Sequence, residues 1–108
     1  MEAIYELQAN VLRMLAHPRR LEMLHILADG PIEVGALAQR LGISQPNASQ
    51  HLALLRASGL VAVERRGREM RYQLSDPAVI SACDIMRGFL ERRLHHLSTV
   101  TFAAGARQ

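Results

Sequence analysis

The stretch GISQPNASQHLALLRASGL, Gly42 to Leu60, decides the fold. Gly42 suits a left-handed helix terminator and Ser44 an N-cap, so one helix ends where this segment begins and another starts inside it. On a wheel of about 100° per residue, Ala48, Leu52 and Leu55 share one face of the new helix. Pro46, Ser49, Gln50 and Ala53 occupy the opposite face, flanked by Asn47 and Arg56. The first face is built for a core. The second is polar near the helix N-terminus, and what it looks at decides what the protein does.

Upstream, Ile4, Leu7, Val11 and Met14 recur at spacings of three and four and predict a first helix from about Ala3 to Ala16. His17-Pro18 punctuates the chain, with Pro18 placed for the first turn of a second helix and His17 to cap or pack at the junction. That helix presents Leu21, Leu24, Leu27 and Ala28 on one face and ends near Gly30-Pro31. A third, EVGALAQRL, buries Val34, Leu37, Ala38 and Leu41. Downstream the period changes. LVAVERR and MRYQL are short alternating or β-branched runs around Gly67-Arg68-Glu69, the pattern of a two-stranded hairpin with Arg at its tip. After Asp76-Pro77 a long helix runs to about Leu97 with Val79, Cys83, Met86, Leu90, Leu94 and Leu97 along one seam. STVTFAAGARQ lacks periodicity, so residues 1–98 are expected to form the domain and 99–108 a flexible tail. The order is four helices, a β-hairpin and one long helix: mainly α with a β-hairpin wing, the outline of a winged helix-turn-helix.

Composition narrows the class. At 108 residues the chain is one domain, near the size where association helps to bury a core. All 13 basic residues are Arg, whose planar fork of donors suits phosphates and base edges, although the net charge is only +3. The single Cys83 excludes an intrachain disulfide framework and fits a reducing cytoplasm, where we expect the protein to reside. MEAIYELQANVL, with an acidic start and helical periodicity, is not expected to be a signal peptide, and no stretch of this sequence approaches a membrane span. There is no nucleophile elbow, Gly-rich phosphate loop or metal-hydrolase motif, so an enzyme is not indicated.

The polar face then acquires a reading. Small and amide side chains near the N-terminus of a helix let its backbone enter a major groove while amides bond to base edges. Gln45, Asn47, Ser49 and Gln50 are the candidate base or near-base contacts, and Ser44 is counted with them on the DNA-binding surface. Arg56 at the helix end and Arg65, Arg66 and Arg68 in the wing are placed to meet phosphates or a minor groove. His51, on the inward edge, is expected to orient the helix. Polar residues on a lone helix are usually a solvated face, and an Arg-rich hairpin tip is usually edge protection. Both features in this order, after a three-residue turn, favour double-stranded DNA over the alternative, a winged helix that docks another protein.

The residues LAHPRRLEMLHIL, VGALAQRLGISQPNASQHLALLRASGLV and RRGREMRYQLSD together resemble the ArsR/SmtB group of winged helix-turn-helix repressors. The resemblance covers roughly Leu15 to Asp76. It implies a homodimer joined through the first and last helices, with Ile4, Leu7, Val11, Met14, Val79, Cys83, Met86 and Leu90 in the interface. It also implies an operator, an imperfect palindrome, released by a small inducer such as a transition metal or a redox signal.

The inducer sites that the resemblance implies are altered here. Glu33-Val34-Gly35 stands where a thiolate metal site would carry Cys-Val-Cys. Asp76 is kept, but Ala78, Phe89 and Arg92 replace the other ligands of a zinc site on the long helix. His25 and Glu91 occupy the places of a redox-sensing cysteine pair. His25 and Glu91, with His95 one turn on and His96 beside it, form a nitrogen and oxygen donor set for zinc or nickel. The plainer alternative is a hydrogen-bonded His25 paired with Glu91. Cys83, mid-seam, reads as a small interface residue.

Overall fold

The structure is a computed structural model that describes residues 2–103, with side chains over 3–97. Its elements are α1 (Glu2–Leu15), α2 (Pro18–Leu27), β1 (Ile32–Glu33), α3 (Val34–Leu41), α4 (Gln45–Ala57), β2 (Val61–Arg66), β3 (Glu69–Leu74) and α5 (Ala78–Ala103). They fall into two compact units, one up to Pro77 and one from Ala78 onward.

In the first unit the core is Met23, Leu24 and Leu27 of α2, Leu37, Ala38 and Leu41 of α3, Ala48, Leu52 and Leu55 of α4, and Leu60 with Val61. Met23, Leu24, Leu37, Ala48, Leu52 and Leu55 are 0% exposed, and no polar side chain is buried among them. A fully buried Leu contributes about 1.5–3 kcal/mol by leaving water, and most of that burial comes from these three helix faces. The α4 and α3 faces match their helical period. On α2 the buried face is Met23, Leu24 and Leu27, whereas Leu21 is 37% exposed and Ala28 lies at the surface. The buried face of α2 is thus rotated from the expected one, with Met23 inside and Leu21 at the edge.

Local chemistry sets the element ends. His17 caps α2, its Nδ1 accepting from the Arg19 N–H at 3.1 Å, with Pro18 in the first turn. Gly42 closes α3 at φ 70, its N–H donating to the Gln39 carbonyl (3.2 Å) while that of Ile43 donates to Ala38 (3.1 Å). This left-handed position would strain any residue with a Cβ. Ser44 begins α4, its Oγ accepting from the Asn47 N–H at 3.2 Å.

The sheet differs from the expected hairpin in having three strands, in the order β1-β3-β2. Ile32 and Glu33 pair with Tyr72 and Arg71, so Glu33 is strand and N-cap rather than the first turn of α3. The hairpin turn is Gly67-Arg68, because Glu69 already pairs with Arg66. Gly67 at φ 61 meets the positive φ that the first central position of a primed hairpin turn demands.

The second unit is a single helix, α5, that continues to Ala103, past the expected end at Leu97. An established helix extends without a new nucleation cost, so a segment without periodicity can still prolong it. The remainder of the expected tail, residues 104–108, lies outside the described residues.

Candidate nucleic-acid interface

The α3–α4 turn is three residues, Gly42, Ile43 and Ser44, which leaves α4 displayed beside the hairpin. Its outward side chains, Gln45, Pro46, Asn47, Ser49, Gln50, Ala53 and Arg56, are all exposed. Ser44 is exposed as well, with its hydroxyl engaged in the cap. Gln45 rests against α3: its Oε1 lies 3.5 Å from where a Cβ on Gly35 would be. From Val34 to Val63 the sequence has no acidic residue, so this surface sets nothing anionic against a phosphate.

Strand register divides the wing into two unlike faces. Val61, Val63 and Arg65 share a face with Met70, Tyr72 and Leu74; Ala62, Glu64 and Arg66 share the other with Glu69, Arg71 and Gln73. The second face neutralises itself: Arg66 Nε is 3.7 Å from Glu64, and Arg71 donates from Nε and Nη2 to Glu69 at 3.2 Å. Arg65 lies on the Tyr72 face and Arg68 in the turn, and among the described residues neither has a carboxylate partner. The three wing arginines expected to act together are therefore split by the pleat. Arg56, in the last turn of α4, likewise has no ion pair among the described residues.

The Tyr72 face turns toward α4. Between them lies an open depression of about 400 Å³ lined by Ser49, Ala53, Arg56, Ala57 and Tyr72. Sequence reading passed over Tyr72. Its place is set by pairing on both sides, with Val63 on β2 and Ile32 on β1, and β1 is too short to announce itself by alternation.

Behind the reading helix sits a second polar cluster that sequence patterns did not reveal. Arg20 Nε donates to His51 Nδ1 at 3.4 Å, and Arg20 Nη1 donates to the Met14 carbonyl at 2.8 Å. The rings of His17 and His51 meet edge to face, with centroids 4.7 Å apart. Burial, then the charges of His17, Arg20 and Arg19, push the His51 imidazole below its ordinary pKa. Arg19 Nη1 also donates to the Leu41 carbonyl at 3.3 Å, tying α2 to the end of α3.

The proposed metal donors lie on separate elements. His25 is in the last turn of α2 and its Nδ1 donates to the Leu21 carbonyl at 3.0 Å. Glu91, His95 and His96 are exposed on α5, with Glu91 3.7 Å from Arg87 Nε. Among the described residues no group of three or more His, Cys, Asp or Glu side chains is arranged to hold a metal ion. Of the expected interface residues, Ile4, Leu7, Met86 and Leu90 are about half exposed or more (53%, 60%, 57% and 49%), while Val11, Met14, Val79 and Cys83 are half-buried. Ile85 and Phe89 widen the exposed apolar surface of α5 beyond the expected seam. Among the described residues, no helix is long and apolar enough to cross a membrane.

Comparison with known proteins agrees with this architecture. Residues 17–63 match the model of the bacterial regulatory protein arsR family. A biofilm growth-associated repressor of Xylella fastidiosa is 43% identical over 68 residues, 63% of this chain and 60% of the repressor, so the chain spans less than two thirds of that relative. An HTH-type transcriptional regulator of Mycobacterium tuberculosis is 35% identical over 94 residues, 86% of this chain and 82% of the relative. The solution structure of a homodimeric winged helix-turn-helix DNA-binding domain from Mycobacterium bovis, a possible ArsR-family regulator, superposes with a TM-score of 0.80 at 30% identity, covering 88% of each chain. With the helix-turn-helix, the wing and these relatives in agreement, the chain belongs to the ArsR family of winged helix-turn-helix regulatory proteins.

Proposed function

We propose that the chain works in the cytoplasm as a homodimeric repressor that binds double-stranded DNA at an imperfect palindrome. The observation that carries this reading is the exposed, acid-free face of α4 standing beside a wing whose Arg65 and Arg68 are uncommitted among the described residues. Gln50, Asn47 and Gln45 offer amides to base edges, and Arg56, Arg65, Arg66 and Arg68 offer charge to phosphates. Apolar side chains exposed on α1, Ile4 and Leu7 among them, and those exposed on α5, Met86 and Leu90 among them, support pairing with a second copy. The relatives support the same reading, since one is a repressor and another a homodimeric DNA-binding domain.

Selection of bound duplexes from a random-sequence library tests it. The expected product is a palindrome with half-sites about 34 Å, one helical turn, or a multiple apart. Gln50→Ala should relax preference at one position of each half-site while Arg68→Ala weakens all duplexes alike. Recovery of no common sequence would overturn the reading. So would a monomeric chain in sedimentation.

A further inference from the structure

A duplex strand separates each major groove from the next minor groove. If α4 lies in the major groove and the wing reaches the adjacent minor groove, that strand must pass between them. The structure has a concavity at this place, the depression bounded by Ser49, Ala53, Arg56 and Ala57 on α4 and by Tyr72 on β3. We propose that this depression seats the sugar–phosphate strand and that the Tyr72 hydroxyl donates a hydrogen bond to one of its phosphates. The inference rests on the operator-binding reading and deepens it by adding a positioning residue that base-contact reasoning does not supply.

Three observations converge on a phosphate strand as the occupant. The walls are small where a backbone must come close, since Ala53 and Ala57 present only methyl groups. Each polar side chain that lines it, Ser49, Arg56 and Tyr72, can donate a hydrogen bond, and none is anionic. Arg56 has no carboxylate partner and the Tyr72 hydroxyl has no hydrogen-bond partner among the described residues. Arg65 lies on the same sheet face as Tyr72, one step nearer the wing tip, so a strand in the seat would run between Arg56 on the helix side and Arg65 on the wing side. Tyr72 itself is half-buried and its backbone is paired on both sides, to Val63 and Ile32, so its ring is held at little further cost in side-chain freedom.

Tyr72→Phe keeps the ring and removes only the donor. With a palindromic duplex obtained by selection and a mixed-sequence duplex as probes, the substitution should weaken both by about 3- to 10-fold, the worth of one hydrogen bond. The preference between the two duplexes and the salt slope should not change. Single neutral methylphosphonates placed along the duplex should reveal one phosphate per half-site whose replacement weakens the wild type but not Tyr72→Phe. Ala57→Leu, which fills the seat from an exposed position, should weaken all duplexes by more than 10-fold with circular dichroism unchanged. Wild-type affinity in Tyr72→Phe, or a changed sequence preference, would overturn the assignment while leaving operator binding intact. A wild-type dimer that retains no duplex would overturn operator binding itself and this inference with it.

Discussion

Arg20 Nε donates to Nδ1 of His51 across 31 residues of sequence, and the same guanidinium holds the Met14 carbonyl, so one side chain links the end of α1, the start of α2 and the back of the reading helix. The bond needs a lone pair on Nδ1 and therefore a neutral imidazole. Burial and the neighbouring His17, Arg20 and Arg19 act in the same direction, lowering the His51 pKa. Between that lowered value and about 6.5 the unfolded chain binds more protons than the folded one, so stability falls as pH drops through this window and is unaffected by His51 above it. Urea midpoints measured from pH 7.5 to 5 should fall more for the wild type than for His51→Gln, whose amide oxygen still accepts from Arg20. Parallel curves would show that His51 contributes nothing to the slope.

The α3–α4 turn depends on two unlike residues. Ser44→Ala removes an N-cap acceptor and should cost about 1 kcal/mol. Gly42→Ala forces a Cβ into a left-handed position and should cost about 1–2 kcal/mol. Denaturant titration of both variants checks the pair, and wild-type midpoints would contradict the capping geometry.

The two faces of the wing predict unequal arginines. Arg66 already has Glu64 at 3.7 Å, whereas Arg68 has no carboxylate partner among the described residues. Arg68→Ala should reduce the magnitude of the log K against log salt slope by about 0.9 per protomer, one phosphate contact, and Arg66→Ala by less. Equal slopes in fluorescence-anisotropy titrations would remove the distinction.

Cys83 is half-buried on α5, and burial, with Asp84 beside it, raises its thiol pKa above the ordinary value. The thiolate is the reactive form, so alkylation at pH 7 should be slower than for a free cysteine and should accelerate only as pH rises above about 8.5. Rapid iodoacetamide labelling at pH 7 would show a different environment.

Among the described residues no group of three or more His, Cys, Asp or Glu side chains is arranged to hold a metal ion, and the donor set of His25, Glu91, His95 and His96 is open to a direct test. Treatment with a chelator should leave the melting temperature unchanged. A fall on chelation, restored by zinc or nickel and absent in His25→Ala, would instead support His25, with Glu91, His95 and His96, as ligands.

Amino-acid order alone was enough wherever a short-range rule has no competitor. Ala48, Leu52 and Leu55 repeat at helical spacing against an opposite polar face, and all three are fully buried. Ser44 and Gly42 act through groups within four residues of themselves, and the hairpin needs only alternation and a Gly at the turn. The tertiary structure decided whatever depends on partners distant in the chain. Ile32 and Glu33 become a strand because β3 offers an edge, and two residues carry no period of their own. Met23 rather than Leu21 is buried because the packing of neighbouring helices selects between two apolar faces of α2. Arg20 meets His51, and Tyr72 closes a depression with Ser49 and Arg56, because packing joins side chains that no local pattern relates.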